Sequence, residues 1–306
     1  MDGAGLVVGV DIGGTKTAVW LWDAAENRPI AERRLPTPCD AGPDSLIDRI
    51  RAEVESLAAR AGRPLSAIQA IGVAVPGRVD EQSTVLDAGK LVGWTQLPLR
   101  DRLAARFGVP AFVEQDANAA ALGERWRGGA QQLRDFVFLA LGTGVGAGVV
   151  VNGRLVRGAR CAAGEMGDLM LDRSRLDRGS PEEHNLGALV GGPVIRERAR
   201  QALGEQVSTS ESLTRANEEP KLRPLVSEVT DYVAMAVIAV SAILDPQAIF
   251  LGGGTASAGE PLLQGVRNRL ERALRVTPDI RLSSLEENAQ LYGAVFGALR
   301  LLGRAW

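Results

Sequence analysis

A chain of 306 residues, 45% of them hydrophobic, is long enough for two domains with cores of their own. Its 35 basic and 37 acidic residues give a formal charge of −2, which offers no electrostatic footprint for nucleic acid or an anionic membrane. Two isolated cysteines (Cys39 and Cys161) and one histidine (His184) exclude a disulfide framework and a CxxC knuckle, and leave little room for a histidine-based triad or metal site.

In chain order, "LVVGVDIGGTKTAVWLWD" at 6–23 reads as strand, glycine turn and returning strand. The start, MDGAGLVVGVD, lacks a basic segment followed by a long apolar one, so the expectation is a cytoplasmic protein. "DSLIDRIRAEVESLAARAG" has the spacing of an amphipathic helix, and "AIGVAVPG" is a strand of buried type. "PLRDRLAARFG" is a further helix, with Gly108 at the position of a C-cap. "PAFVEQDANAAALGERWRGG" passes from a short strand into an alanine-rich helix.

At "FVFLALGTGVGAGVVVNGRLV" the opening pattern returns roughly 130 residues on, which suggests two related lobes. The Asn152-Gly153 pair closes a hairpin there. "YVAMAVIAVSAIL", Tyr232 to Leu244, reads as a buried helix too short to span a bilayer. The strand "AIFLGGG" follows, and the last pattern, "AQLYGAVFGALRLL", is helical. Together these imply a two-lobe α/β protein with mixed sheets and a ligand site in a central cleft.

Three glycine turns follow apolar strands. In "DIGGTKT", Asp11, Gly13, Gly14, Thr15 and Lys16 combine unshielded backbone N–H groups, a hydroxyl, a cation and a carboxylate, which suit phosphate and its Mg²⁺. "LGTGVGAG" repeats the offer with Gly142, Thr143 and Gly144, and "LGGGTASAG" presents Gly252, Gly253 and Gly254. None matches the Walker or dinucleotide pattern, and each alone reads equally well as a structural turn. Asp116, between a short strand and a helix, is placed to act as a general base, or it and Asn118 only cap that helix. Glu165 and Asp168 in "AAGEMGDLMLD" read, in isolation, as solvated turn carboxylates.

Taken in order, "DIGGTK", "VAVPG", "GW" followed by "PL", "DANAAALGE", "LGTGVGAGVVVNGRLVRGA", "AAGE-x-G" and "LGGG" resemble the ROK family of sugar kinases over nearly the whole chain. The resemblance implies an actin-like ATPase (ribonuclease H-like) fold, with lobes at 1–117 and 118–288 and a terminal helix, about 289–303, packed back on the first. It further implies ATP-dependent phosphorylation of a hexose hydroxyl, usually the 6-OH, and commonly a homodimer. By position, Asp116 is the catalytic base. Asp11, Gly13, Gly14, Thr15 and Lys16 hold phosphate or Mg²⁺, with Gly142, Thr143 and Gly144 opposite and Gly252 to Gly254 beside the nucleoside. Gly77, Lys90, Gln115, Glu165 and Asp168 fall at sugar-binding positions.

The departures fall in the sugar site. Where the family usually reads "GEIGH" this chain has "GEMGD", so Asp168 replaces a zinc-binding histidine. The family's CxCGxxGC loop is absent, with Asn185 at its last cysteine and Gly187 at a usual sugar-binding glutamate, so no zinc is expected. Gln115 stands for the usual asparagine before the base, and Lys90 falls near another. An aspartate beside Glu165 makes an acidic corner that calls for a cation: Arg160, Arg173, or the ammonium of an amino sugar. Some members phosphorylate amino sugars, kanosamine among them. The expected substrate is therefore a hexose or amino-hexose. A sugar sensor is the rival reading, but the ten residues before Asp11 are too few for a DNA-binding domain.

Overall fold

The opening apolar run forms β1 (Leu6–Ile12), and a glycine turn returns it as β2 (Lys16–Asp23). Both are buried along nearly their whole length, as expected of strands covered on two faces. The chain continues through β3 (Arg28–Pro36), α1 (Gly42–Arg60), β4 (Ile68–Val75), β5 (Arg78–Val79), β6 (Val85–Asp87), α2 (Leu99–Phe107), β7 (Ala111–Gln115) and α3 (Asp116–Arg127). Then come β8 (Phe136–Leu141), β9 (Val145–Val151), β10 (Arg154–Val156), α4 (Leu186–Val190), α5 (Gly192–Leu203), α6 (Thr209–Thr214), α7 (Arg223–Leu244), β11 (Ala248–Gly252), α8 (Glu260–Ala273), β12 (Ile280–Leu282) and α9 (Ala289–Leu301). This computed structural model describes residues 5–89, 91–171, 173 and 185–304.

The chain forms two units. The first holds the residues up to Arg127, the short stretch Gly158–Ala162 and the chain from Asn288 onward; the second holds Gly128–Arg157 and Ala163–Glu287. The first unit's main sheet has the order β3-β2-β1-β4-β7, and the second unit's β10-β9-β8-β11-β12. Strand directions also correspond. β1–β2 and β8–β9 are antiparallel, as are β2–β3 and β9–β10, whereas β1–β4–β7 and β8–β11–β12 run parallel. The recurrence of the glycine hairpin in the sequence is thus a recurrence of a whole five-stranded sheet.

In the first unit, α1 buries Leu46, Ile47, Ile50, Val54 and Leu57 at helical spacing, and α2 ends where Gly108 takes a left-handed φ of 71°. β3 is an edge strand whose exposed Arg28, Glu32, Arg33 and Arg34 protect its free side. That charge hides the strand from a reading based on apolar alternation. The short β5–β6 hairpin and β12 escape such a reading for want of length. Helix α9 packs against β1, β4, β7 and α3. In the second unit α7 is longer than its apolar core suggests. With the 3₁₀ turn before it, the stretch Pro220–Leu244 is long and apolar enough to cross a membrane by length and composition alone, but Leu225, Val229, Val233, Ala236, Val237 and Val240 form a buried stripe within the unit's core.

Candidate active site

Parallel pairing places the carboxyl ends of β1, β4 and β7 side by side, with Asp11 opposite Ala74, Ala74 opposite Glu114 and Val75 opposite Gln115. Asp11 near the end of β1, Gly77 just past β4 and Asp116 just past β7 therefore share one edge of the sheet. Ligands of open α/β folds bind at such strand ends. In the turn after β1, Gly13 N–H donates to the Lys16 carbonyl at 2.8 Å, and a Cβ on Gly13 would sit 2.9 Å from that oxygen. A Cβ on Gly14 would meet nothing within 4 Å, and Thr15 and Lys16 are exposed. The turn is therefore closed from within and open outward. Gly77, at φ 82°, lets the β5–β6 hairpin come so near that a Cβ would fall 2.0 Å from the Asp87 carbonyl oxygen.

Asp116 is the first residue of α3 and keeps part of its surface accessible. Its Oδ1 accepts the Ala117 N–H at 2.7 Å. Burial pushes its pKa up to about 6, against the opposing pull of the Ala117 and Asp116 backbone N–H groups. Such a carboxylate is ionised at neutral pH and basic enough to take a proton. Around it, Gln115 Oε1 accepts the Asn118 N–H at 3.1 Å, and Asn118 Nδ2 donates to Glu114 Oε1 at 3.1 Å. The helix's first turn is thus served by Gln115 and Asp116, while the buried Asn118 side chain turns inward; its Oδ1 has no partner among the described residues.

In the second unit the corresponding edge carries the other two glycine turns. Thr255 N–H donates to the Leu141 carbonyl at 2.9 Å, and a Cβ on Gly253 (φ 90°) would lie 2.6 Å from the same oxygen. The Gly252–Gly254 and Gly142–Gly144 turns are thereby in direct contact, with Thr143, Gly144 and Gly254 exposed. Gly192 N–H, at the start of α5, donates to the Gly142 carbonyl at 2.8 Å, and a Cβ on Gly191 would come within 2.9 Å of the Thr143 carbonyl oxygen. Sequence reasoning missed this supporting Gly191-Gly192 pair, although a glycine pair before Pro193 is the signal of a tight approach at a helix start.

Glu165 and Asp168 belong to a loop pressed on β9. A Cβ on Gly164 would lie 1.9 Å from the Ala147 carbonyl oxygen, and one on Gly167 would lie 2.8 Å from that of Val145. These contacts explain the glycines that flank Glu165, which is half-buried, and Met166–Asp168 forms a single 3₁₀ turn. Asp168 is exposed, and its hydrogen-bond partner bears only on the two internal cations weighed for it. Among the described residues that partner is neither Arg160 nor Arg173 but Asn185, whose Nδ2 donates to Asp168 Oδ1 at 3.4 Å. Asn185 Oδ1 meanwhile caps α4, accepting the Ala188 N–H at 3.0 Å. Arg160 belongs to the first unit, where it lines a cavity of about 580 Å³ with Arg78, Asp80 and Gln96. Lys90 and His184 lie outside the described residues, and among those described no group of three or more His, Cys, Asp or Glu side chains could hold a metal ion.

The duplicated sheet, with glycine turns at equivalent strand ends, defines an actin-like ATPase fold. Residues 7–300 match the ROK family, and the chain belongs to it. It is 29% identical to a glucokinase of Streptomyces coelicolor over 95% of this chain and 96% of that one. It is 33% identical to an N-acetylmannosamine kinase of Salmonella typhi over 84% of this chain and 86% of that one. Among solved structures, a ROK glucokinase from Streptomyces griseus in complex with glucose and AMPPNP matches with a TM-score of 0.84 at 28% identity, over 97% of this chain and 100% of that one.

Proposed function

We propose that this ROK-family, ATP-dependent carbohydrate kinase transfers the γ-phosphoryl group to the 6-hydroxyl of a hexose or amino-hexose, with Asp116 as general base. The observation that carries the reading is a carboxylate with a pKa near 6 at the end of β7, on the same sheet edge as Asp11 and the Gly13–Lys16 turn. Asp116 takes the proton of the acceptor hydroxyl as that oxygen bonds to phosphorus and the bond to the ADP oxygen breaks. The backbone N–H groups of the turn and Lys16 receive phosphate oxygens, and Gly142, Thr143 and Gly144 offer a second set. Asp11 is a hard oxygen donor of the kind Mg²⁺ takes when it travels with a nucleotide, and the ion would neutralise charge on the phosphates.

On the sugar side, Glu165 accepts hydrogen bonds from ring hydroxyls. Asp168 meets a neutral group among the described residues, the Asn185 amide. An ammonium on the sugar would pair with this carboxylate through a charge-assisted hydrogen bond. The test is ADP release from Mg·ATP across glucose, mannose, fructose, N-acetylmannosamine, glucosamine and kanosamine, for the wild type, Asp116→Ala and Asp168→Asn. Turnover of a sugar by the wild type, abolished in Asp116→Ala, is expected. Asp168→Asn should lower kcat/KM roughly tenfold for free-amine sugars while leaving neutral ones nearly unchanged. Equal loss for every sugar would assign Asp168 to the loop's architecture.

A further inference from the structure

We propose that Thr37 is a positioning residue for phosphoryl transfer: it anchors a strap, residues 37–39, that fixes the Gly13–Lys16 turn from behind and joins it to the segment at Val92. This rests on the reading that the turn receives phosphate.

The ladder between β2 and β3 ends at the pair Lys16–Pro36, where proline has no N–H to give. One residue further, Thr37 N–H donates to the Thr15 carbonyl at 3.0 Å. The Thr37 hydroxyl meets that of Thr17 at 2.8 Å, and the two side chains are 8% and 0% exposed. Two residues on, Cys39 Sγ donates to the Gly14 carbonyl at 2.8 Å. Both peptide carbonyls at the tip of the turn are therefore held from the strap side.

A peptide unit is planar and trans, so fixing a carbonyl fixes the following N–H in the opposite direction. Holding Gly14 C=O orients Thr15 N–H, and holding Thr15 C=O orients Lys16 N–H, both away from the strap. The strap's other face is tied by Val92 N–H, which donates to the Cys39 carbonyl at 2.9 Å. Val92 follows a short turn in which Leu91 N–H donates to the Ala88 carbonyl at 3.2 Å, beyond the β5–β6 hairpin that Gly77 admits. The buried hydroxyl pair is the fixed point: away from water a single unpaired hydroxyl is costly and a satisfied pair holds one geometry.

A merely structural role and a positioning role separate in the double variant. Thr37→Val strands the Thr17 hydroxyl and should lower both the thermal midpoint and kcat/KM for Mg·ATP, the latter roughly three- to tenfold. Thr37→Ser, which keeps the hydroxyl and the backbone donor, should stay within about twofold of wild type. In Thr17→Val/Thr37→Val both partners become apolar and the same shape, so the midpoint should recover while kcat/KM for Mg·ATP remains depressed. If kcat/KM recovers with the midpoint, or never falls in Thr37→Val, the positioning role is overturned. Lys16→Ala separates the two readings. Loss of kcat/KM for Mg·ATP in that variant with none in Thr37→Val removes only the strap's role, whereas wild-type kinetics in Lys16→Ala removes the phosphate reading and the strap's role together.

Discussion

Asp116 shows how a functional group strains the stability of the fold that holds it. With its pKa raised to about 6 from an ordinary 3.8, the native state keeps a proton that the unfolded chain releases between those values. Stability therefore falls as pH rises through that window, and above it the ionised carboxylate costs up to about 3 kcal/mol, nearer 1–2 because the side chain keeps some access to water. Asp116→Asn should be more stable than wild type by about 1–2 kcal/mol in urea at neutral pH and close to it at about pH 4. The same variant should lose roughly a hundred- to ten-thousandfold in kcat, and wild-type kcat/KM should decline as pH falls below about 6. A variant no more stable at neutral pH than wild type would mean that the fold does not penalise the charge. Asp116 reads in the sequence as either a base or a helix cap, and only the family resemblance favours the base. The Asp168–Asn185 contact is not legible there, because a hydrogen bond between residues 17 apart, one in a loop and one capping a helix, leaves no periodic trace.

Among elements, glycine does two unlike jobs that the sequence spells identically. In the turn, Gly14 has open space where a Cβ would be. In α9, a Cβ on Gly293 would fall 1.8 Å from the Ala119 carbonyl of α3, and in β4 a Cβ on Gly72 would fall 1.8 Å from the Ala294 carbonyl of α9. Helix α9 can lie on β4 and α3 only because backbone meets backbone at these points. Gly293→Ala should therefore cost about 3 kcal/mol or more in urea unfolding, the upper end for overpacking. Gly14→Ala should change stability by less than about 0.5 kcal/mol, yet reduce kcat/KM for Mg·ATP if phosphate approaches that face. Equal destabilisation by both would contradict the division of labour. Turn glycines suggested a ligand because they cluster after apolar strands and beside Thr and Lys. A glycine inside "AIGVAV" or "YGAVFG" signals only a close approach, and its partner is set by packing across some two hundred residues of chain.

For the whole molecule, the repeated sheet raises the question of what makes each unit self-sufficient. The hairpin motif betrayed the repeat in the sequence, and Asn152-Gly153 marked the turn into β10, but β3 is masked by its charges and β12 is only three residues long. The first unit is not continuous in sequence. Its β1 and β4 carry Val7, Gly9, Ala70 and Gly72 on the face that α9 covers through Leu291, Ala294, Val295 and Ala298. Without α9 that face, and the adjoining side of α3 with Ala119, would meet water, and Trp20, Trp22 and Trp126 would each lose Tyr292. The second unit's core, built on β8, β11 and α7, draws nothing from α9. A chain ending at Glu287 should consequently lose amide hydrogen-exchange protection throughout β1, β4 and β7, while β8 and β11 stay protected. Slow exchange persisting in β1 and β4 of that truncated chain would show that the first sheet does not need its terminal helix. Loss of protection in β8 as well would show that the two units fold only together.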